Sequence, residues 1–461
     1  MNDRTEVPAR PTDRTALWRD RLLRFAMGGG VTVVGALFAA VRNRWLAGHL
    51  ATAGIGVLAQ ILSAQSWLST LAGMGLALPV ARAVGAGTAG GDAALVRRTT
   101  WTALALVGGA TAGVVTLCLL FAPSVSSVLL GTDAHATLVR ISMLGVAALS
   151  LQVVMSGFFY GRSDVGAAMI VAVVGGMASV AVTLVLVPAT GLVGGAIGVA
   201  IITPVGLAAA LWSRRHVLRA TLAPPPRPAL EAATARTLLS VGVAALLLAL
   251  LEQGTVLGLR AHYLRVYGIA ANGLLQAGLA LAQQVSAMFI AYLVGYAFGR
   301  ISGSVDAVRI RDYTRRHWTP LVALAAAAFA IAMLGAGPLL RLFYTSRFAA
   351  ARPLMAWALF GEFCRVMTQL WGLGALPLGA LGSWIAIGVS GPATIVAAYL
   401  WYAPHAGSLT LPFATATGAL VQLGVAGVLM ARRGVRPTPA GAVLLAISLV
   451  GLALLARTIA G

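Results

Sequence analysis

Two acids and an arginine lie deep in stretches that are otherwise apolar. Glu362 and Arg365 are three residues apart in one stretch and share a helix face, so they can pair. Glu252 lies in another, beside Gln253, with no basic residue within one turn of its own helix. A charge at the centre of a bilayer is costly, so such groups face a cavity or a partner. Arg365 presents a planar fork of donors that fits a phosphate, and the bland alternative is that it only neutralises Glu362. Glu252 suits H⁺ or Na⁺, or an ion pair with Arg365 or Arg42. Glu252 and Glu362 are therefore the coupling-ion candidates.

Arg42 and Arg44 close the first apolar run, and Arg260 and Arg265 follow the seventh. Arginines near span ends often snorkel to the interface. These four lie on the side that has few arginines, so we rank Arg42, Arg44 and Arg260, together with the mid-span Arg365, as contacts for an anion. Gln60, Gln65, Gln152, Gln276, Gln283 and Gln284 are amides in apolar runs. Hydrogen bonding between helices explains most such residues. Gln60, Gln152 and Gln284 are the ones we assign to sugar hydroxyls in a cleft.

Other chemistries are disfavoured. All 33 basic residues are Arg, so a P-loop lysine and a Schiff-base lysine are both absent. Gly85, Gly87 and Gly90 match a dinucleotide fingerprint but follow a membrane run and not a strand. The six His are scattered without metal-ligand spacing, and Cys118 and Cys364 read as buried helix residues. No catalytic set, metal site or cofactor is expected, only H⁺ or Na⁺ as a coupling ion.

The elements that must hold these residues are thirteen apolar runs, near 25–46, 54–80, 97–121, 135–159, 165–188, 191–212, 237–259, 268–298, 318–340, 348–375, 380–402, 408–431 and 440–458. Each is long enough to cross a hydrocarbon core of roughly 30 Å. They are continuously apolar and do not alternate, which selects helices over a barrel. The composition agrees, with 59% hydrophobic residues, 10% charged and 54 glycines. A net charge of +21 would suit nucleic acid in a soluble protein. Here the arginines sit in loops, 23 on one side of the threading against 9 on the other, with Arg365 mid-span. That asymmetry puts the N-terminus in the cytoplasm. The first 24 residues are polar, so the first span reads as a retained anchor, with Ala16–Ala26 amphipathic.

The two halves repeat the same features in order. Arg82, Asp92, Arg97, Arg98 and Trp101 in the first correspond to Arg300, Asp306, Arg309, Arg315, Arg316 and Trp318 in the second. Six spans per half makes this a parallel repeat about an axis along the membrane normal. The expected fold is an all-α integral membrane protein of two six-helix bundles plus an extra C-terminal helix. Its parts are a cytoplasmic segment 1–24, a first lobe 25–213, a Pro-rich linker 214–236, a second lobe 237–431 and an added helix 432–461.

Several stretches carry a family likeness. Arg44-Trp-Leu-Ala-Gly48 through Gly56, Phe158-Phe-Tyr-Gly-Arg162, Gly191-Leu-Val-Gly-Gly-Ala-Ile-Gly198, and Leu339–Tyr344 with Phe348–Leu354 resemble the multidrug/oligosaccharidyl-lipid/polysaccharide (MOP) flippase superfamily, most of all its polysaccharide (O-antigen-type) flippases. The internal repeat, which supplies both lobes, points to a monomer, and the Arg-for-Lys bias with Ala and Gly richness to a GC-rich bacterial genome and hence a bacterial cytoplasmic membrane. The resemblance implies a non-enzymatic carrier. Its partners would be a polyprenyl-diphosphate-linked oligosaccharide, membrane lipids and polysaccharide polymerase or assembly proteins, with no nucleic acid. A cation-coupled exporter of small molecules is the alternative on the same fold. A membrane enzyme is disfavoured by the short outer loops, and a scaffold without transport is the remaining reading.

Overall fold

The computed structural model describes residues 14–223, 230–293, 307–372, 378 and 380–460, with side chains from Val33 onward except those of residues 165, 307, 309, 310, 313 and 314. Arg300, Asp306 and the Pro-rich run 224–228 lie outside the described residues, as do the side chains of Ala16–Ala26.

Every described element is helical, and the chain is a multi-pass membrane protein. Spans 1 and 2 form one run, Arg14–Gly73, broken at Ala51 by a positive φ of 53°. Among the described residues, eleven segments are long and apolar enough to cross a membrane. Val33–Gly73 counts once among them, although 41 residues of helix are about twice a bilayer's thickness. Span 10, Arg352–Gly372, is not among them. It carries Glu362 and Arg365, which lower its hydropathy. The remaining spans are Ala93–Leu120 (span 3), Ala136–Gly161 (span 4), Val165–Thr190 (span 5), Leu192–Ser213 (span 6), Ala232–Tyr267 (span 7), Ile269–Tyr292 (span 8), Ala307–Leu334 (span 9), Leu381–Tyr402 (span 11), Thr410–Arg432 (span 12) and Pro439–Ala460 (span 13).

Several boundaries differ from the sequence reading. Span 2 stops at Gly73, where Met74 and Gly75 adopt positive φ, and a separate helix Ala77–Ala89 follows. Span 7 is longer at both ends than 237–259. Short helices Ala122–Leu130 and Ala336–Phe343 follow spans 3 and 9. These last two correspond across the repeat, and both lie at the end of the bundle that is poor in arginine.

The repeat is visible in the packing. At the Arg-poor end a Cβ on Gly56 would strike the carbonyl oxygen of Ile269, and a Cβ on Gly273 would strike that of Thr52. Thr52 and Ile269 are 217 residues apart, and so are Gly56 and Gly273. Each partner in this reciprocal contact is therefore the other's counterpart. The same offset relates Arg98 to Arg315 and Trp101 to Trp318. Small residues let backbones approach this closely where lipid supplies no hydrophobic drive.

Span 7 runs antiparallel along span 2. Gln60 donates to the Leu257 carbonyl (3.5 Å), Trp67 to that of Leu250 (3.2 Å), and Gly75 abuts Gly242. Span 13 buries Gly441, Leu445, Ser448, Leu452 and Ala456 against spans 9 and 10. It thereby covers the back of the helix that carries Glu362.

At the Arg-rich end, Asp164 caps span 5 by accepting from the Ala167 amide (3.2 Å) and pairs with Arg214 after span 6 (2.6 Å). The Arg214 guanidinium holds the Asp164 carboxyl below the usual carboxylate range, helped by backbone amides. A depressed carboxylate stabilises above its unfolded value and stops doing so as pH falls through its folded value. This contribution is therefore full at neutral pH and fades below about pH 4. Asp164→Asn is expected to cost about 1 kcal/mol at pH 7 and almost nothing at the acid end. Thermal unfolding in detergent at the two pH values checks this, since an equal loss at both would mean the ion pair contributes nothing.

Candidate functional site

Span 7 brings Glu252 to span 10. Arg365 donates to the Glu252 carboxylate through one terminal nitrogen and to Glu362 Oε1 through the other, at 3.5 Å. Both arms of the guanidinium are thus engaged by carboxylates, not held open for a phosphate. Glu362 is nearly buried, with its side chain 9% exposed, whereas Glu252 and Arg365 are 44% and 39% exposed. With all three ionised the trio carries one uncompensated negative charge. That arrangement can take up a proton or a small cation without rebuilding the helices.

The trio belongs to the second half alone. The 217-residue offset maps Glu252, Glu362 and Arg365 onto Gly35, Gly145 and Ala148. The Gln65 amide fills the space beside Gly145. The first half thus carries a neutral amide where the second carries charge.

Beside the trio, Gln253 accepts from Ser66 (3.3 Å) and Thr70 (3.2 Å) of span 2. Gln60 is fully buried between spans 2 and 7. Gln152 is half-buried and lines a cavity of about 360 Å³ in the first half, with Ser156, Asp164 and Thr203. Gln284 is half-buried on span 8. The structure therefore does not gather the three glutamines around one point.

The arginines of the Arg-poor end close the molecule there. Arg260 is 4% exposed and donates to Asn272 Oδ1 (3.3 and 3.2 Å) and to Ser63 Oγ (2.9 Å). Asn272 in turn donates to the Gly56 carbonyl (2.8 Å), tying spans 2, 7 and 8 at the Gly56–Gly273 contact. Arg42 reaches span 5 through Ser179 Oγ (3.4 Å) and its own neighbour Asn43 (3.4 Å), and its Nε is buried without a hydrogen-bond partner. Among the described residues neither Arg42 nor Arg260 has an acidic partner.

Arg44 donates to the carbonyls of Arg341 (2.6 Å), Leu342 (3.1 Å) and Tyr344 (3.3 Å) at the C-terminus of the short helix after span 9. Arg265 donates to the Val128 carbonyl (2.7 Å) near the C-terminus of the corresponding helix after span 3. Each half thus supplies an arginine that caps the other half's short helix, where the exposed carbonyls favour a cation. Sequence reasoning picked out these arginines but not their acceptors, because backbone carbonyls leave no residue-type signal. Asn272 follows Arg260 in the repeat pattern but was not read as its partner, and Ser63 and Tyr344 were missed because a single polar residue in or beside a span is ordinary.

Removing both latches, as Arg44→Gln with Arg265→Gln, is expected to loosen the Arg-poor end while the bundle stays folded. Hydrogen–deuterium exchange across 52–63 should then rise severalfold. Unchanged exchange would mean that the latches are decorative.

No protein-family model matches the chain, and no curated protein matches it. Solved structures do. An inward-facing multidrug resistance MATE family transporter of the MOP superfamily matches over 93% of this chain and 96% of its own, with a TM-score of 0.68 at 14% identity. The fold is that of MATE and MurJ. The lipid II flippase MurJ, in an inward closed conformation, matches over 94% of this chain and 92% of its own, with a TM-score of 0.68 at 11% identity. An outward-facing MATE family transporter gives a TM-score of 0.64 at 15% identity, over 95% and 96% of the two chains. Within this MATE- and MurJ-like fold, the reciprocal latches and the Gly56–Gly273 contact join the halves at the Arg-poor end.

Proposed function

We propose that this chain is an alternating-access flippase that moves a polyprenyl-diphosphate-linked oligosaccharide from the inner to the outer leaflet. The observation that carries this reading is the pair of sequestered guanidinium groups, Arg42 and Arg260, whose recorded partners are all neutral. Buried cations without acids await an anion, and arginine forks suit a diphosphate. Substrate would enter from the Arg-rich, cytoplasmic side with the Arg-poor end sealed. A diphosphate that drew Arg260 away from Asn272 and Ser63 would loosen the seal from within. The lobes would be 25–213 and 237–431, joined by the linker 214–236, with a polymerase or assembly system downstream. Glu252 and Glu362 would take the coupling H⁺ or Na⁺, and Gln152 would reach sugar.

A second reading, a cation-coupled exporter of small cationic molecules, is favoured by the surplus carboxylate of the Glu252–Arg365–Glu362 trio. Equilibrium binding separates the two. The flippase reading expects affinity to rise from polyprenol to polyprenyl monophosphate to polyprenyl diphosphate, and to fall about tenfold in Arg42→Gln, the loss of one charge-assisted contact. If a cationic dye binds instead, and its binding is lost in Glu252→Gln, the exporter reading replaces it.

A further inference from the structure

The Arg-rich ends of the two halves differ in one respect. In the first half two of the arginines meet acids, Arg98 with Glu231 (3.1 Å) and Arg214 with Asp164 (2.6 Å). In the second half Arg311, Arg315 and Arg316 lie at the base of span 9, and Arg311 contacts the turn between spans 12 and 13, which carries Arg432, Arg433 and Arg436. All six are exposed, and Asp312 is the one acid in these two described stretches. Arg315 occupies the position that Arg98 holds in the first half, yet it has no ion pair among the described residues.

The patch is built on an ordered turn. Gly434 adopts φ 78° with the Arg311 guanidinium packed on it. Arg311 donates to the Arg433 carbonyl (2.9 Å), Trp371 to that of Val435 (3.4 Å), and Thr319 meets Thr438 (3.0 Å). Trp318 and Trp371 pack beneath it with their rings tilted, 4.6 Å apart. These contacts fix the backbone where three spans end; Arg432, Arg433 and Arg436 are exposed there, with Arg436 Nε donating to the Ala431 carbonyl (3.4 Å).

We propose that this rim is a binding site for the phosphate headgroup of an anionic phospholipid. It lies flush with the ends of spans 9, 12 and 13, at headgroup depth, where a lipid phosphate is the anion at hand. A nucleic acid would need a surface that projects from the bilayer. Span 13 presents Val443, Ile447, Val450 and Leu454 outward next to the rim, an apolar wall for the same lipid's acyl chains. The inference does not depend on what the protein transports.

The test uses the full chain in a neutral detergent, titrated with phosphatidylglycerol, phosphatidylcholine or inorganic phosphate, with bound lipid counted by native mass spectrometry. Phosphatidylglycerol is expected to bind in preference to phosphatidylcholine. Arg432→Gln with Arg433→Gln and Arg436→Gln should weaken it about tenfold or more. The three corresponding lysine substitutions should keep most of the affinity. Arg98→Gln with Arg215→Gln, at the rim of the first half, should leave it unchanged. Equal binding of the two lipids, displacement of phosphatidylglycerol by millimolar phosphate, or a triple Gln variant that binds like wild type would overturn the proposal.

Discussion

Gly56→Ala and Gly273→Ala are each expected to break the Arg-poor seal, with the largest effect of any single methyl group in the molecule. At both positions the added Cβ meets a backbone carbonyl of the opposite half, Ile269 or Thr52. A side chain in the way could rotate aside, but a helix backbone cannot. Spans 2 and 8 must therefore move apart, and the bond from Asn272 to the Gly56 carbonyl goes with them. Overpacking of this kind costs about 1–3 kcal/mol, and every 1.4 kcal/mol is a tenfold change in a population ratio. The ratio of sealed to open molecules should fall roughly tenfold to a hundredfold. Spin labels at Asp133 and Ser346, both exposed at this end on opposite halves, would read the change as a longer distance. Cys118 and Cys364 would first be replaced. Gly48→Ala is the control, because nothing lies within 4 Å of its Cβ position. A distance distribution in Gly56→Ala that matches wild type would remove the seal from the account.

The second large effect is expected at the charged trio. Arg365→Met leaves Glu252 and Glu362 facing each other with no cation between them. Breaking a buried ion pair costs about 3–5 kcal/mol. Here Arg365 and Glu252 are 39% and 44% exposed, so screening reduces the loss to about 1–2 kcal/mol. Arg365→Met with Glu362→Gln should recover most of it, because the uncompensated buried carboxylate is gone. Thermal unfolding of the two variants decides the matter. If the double variant is no better than the single one, the trio is not the coupled unit described above. If Arg365→Met is as stable as wild type, the three charges act separately.

The spans, the parallel repeat and the charged residues were all legible in the sequence. Continuous apolar runs signal membrane helices without help from tertiary contacts, and Trp101 and Trp318 marked the repeat correctly. Span 10 was found although Glu362 and Arg365 lower its hydropathy, because its flanks remain apolar. The turn at Ala51 was not legible, since neither Gly nor Pro marks it. What Arg44, Arg260 and Arg265 hold was not legible either. Their partners are carbonyls, an asparagine and a serine contributed from as far as 300 residues away in the chain. Among 54 glycines, nothing in the sequence singles out Gly56 and Gly273 as the pair that meets. The ion pair of Glu252 with Arg365 was one of the alternatives the sequence offered, although the two are 113 residues apart.

Leaflet-specific flipping in proteoliposomes tests the central claim most directly. The substrate would be a fluorescent polyprenyl-diphosphate oligosaccharide, and the proteins wild type, Arg260→Gln and Gly56→Ala. The account predicts protein-dependent transfer by wild type, a loss of about tenfold or more in both variants, and weaker substrate binding in Arg260→Gln alone. Absence of wild-type flipping, together with expulsion of a cationic dye down an imposed H⁺ or Na⁺ gradient, would contradict it and leave a drug exporter built on the same fold.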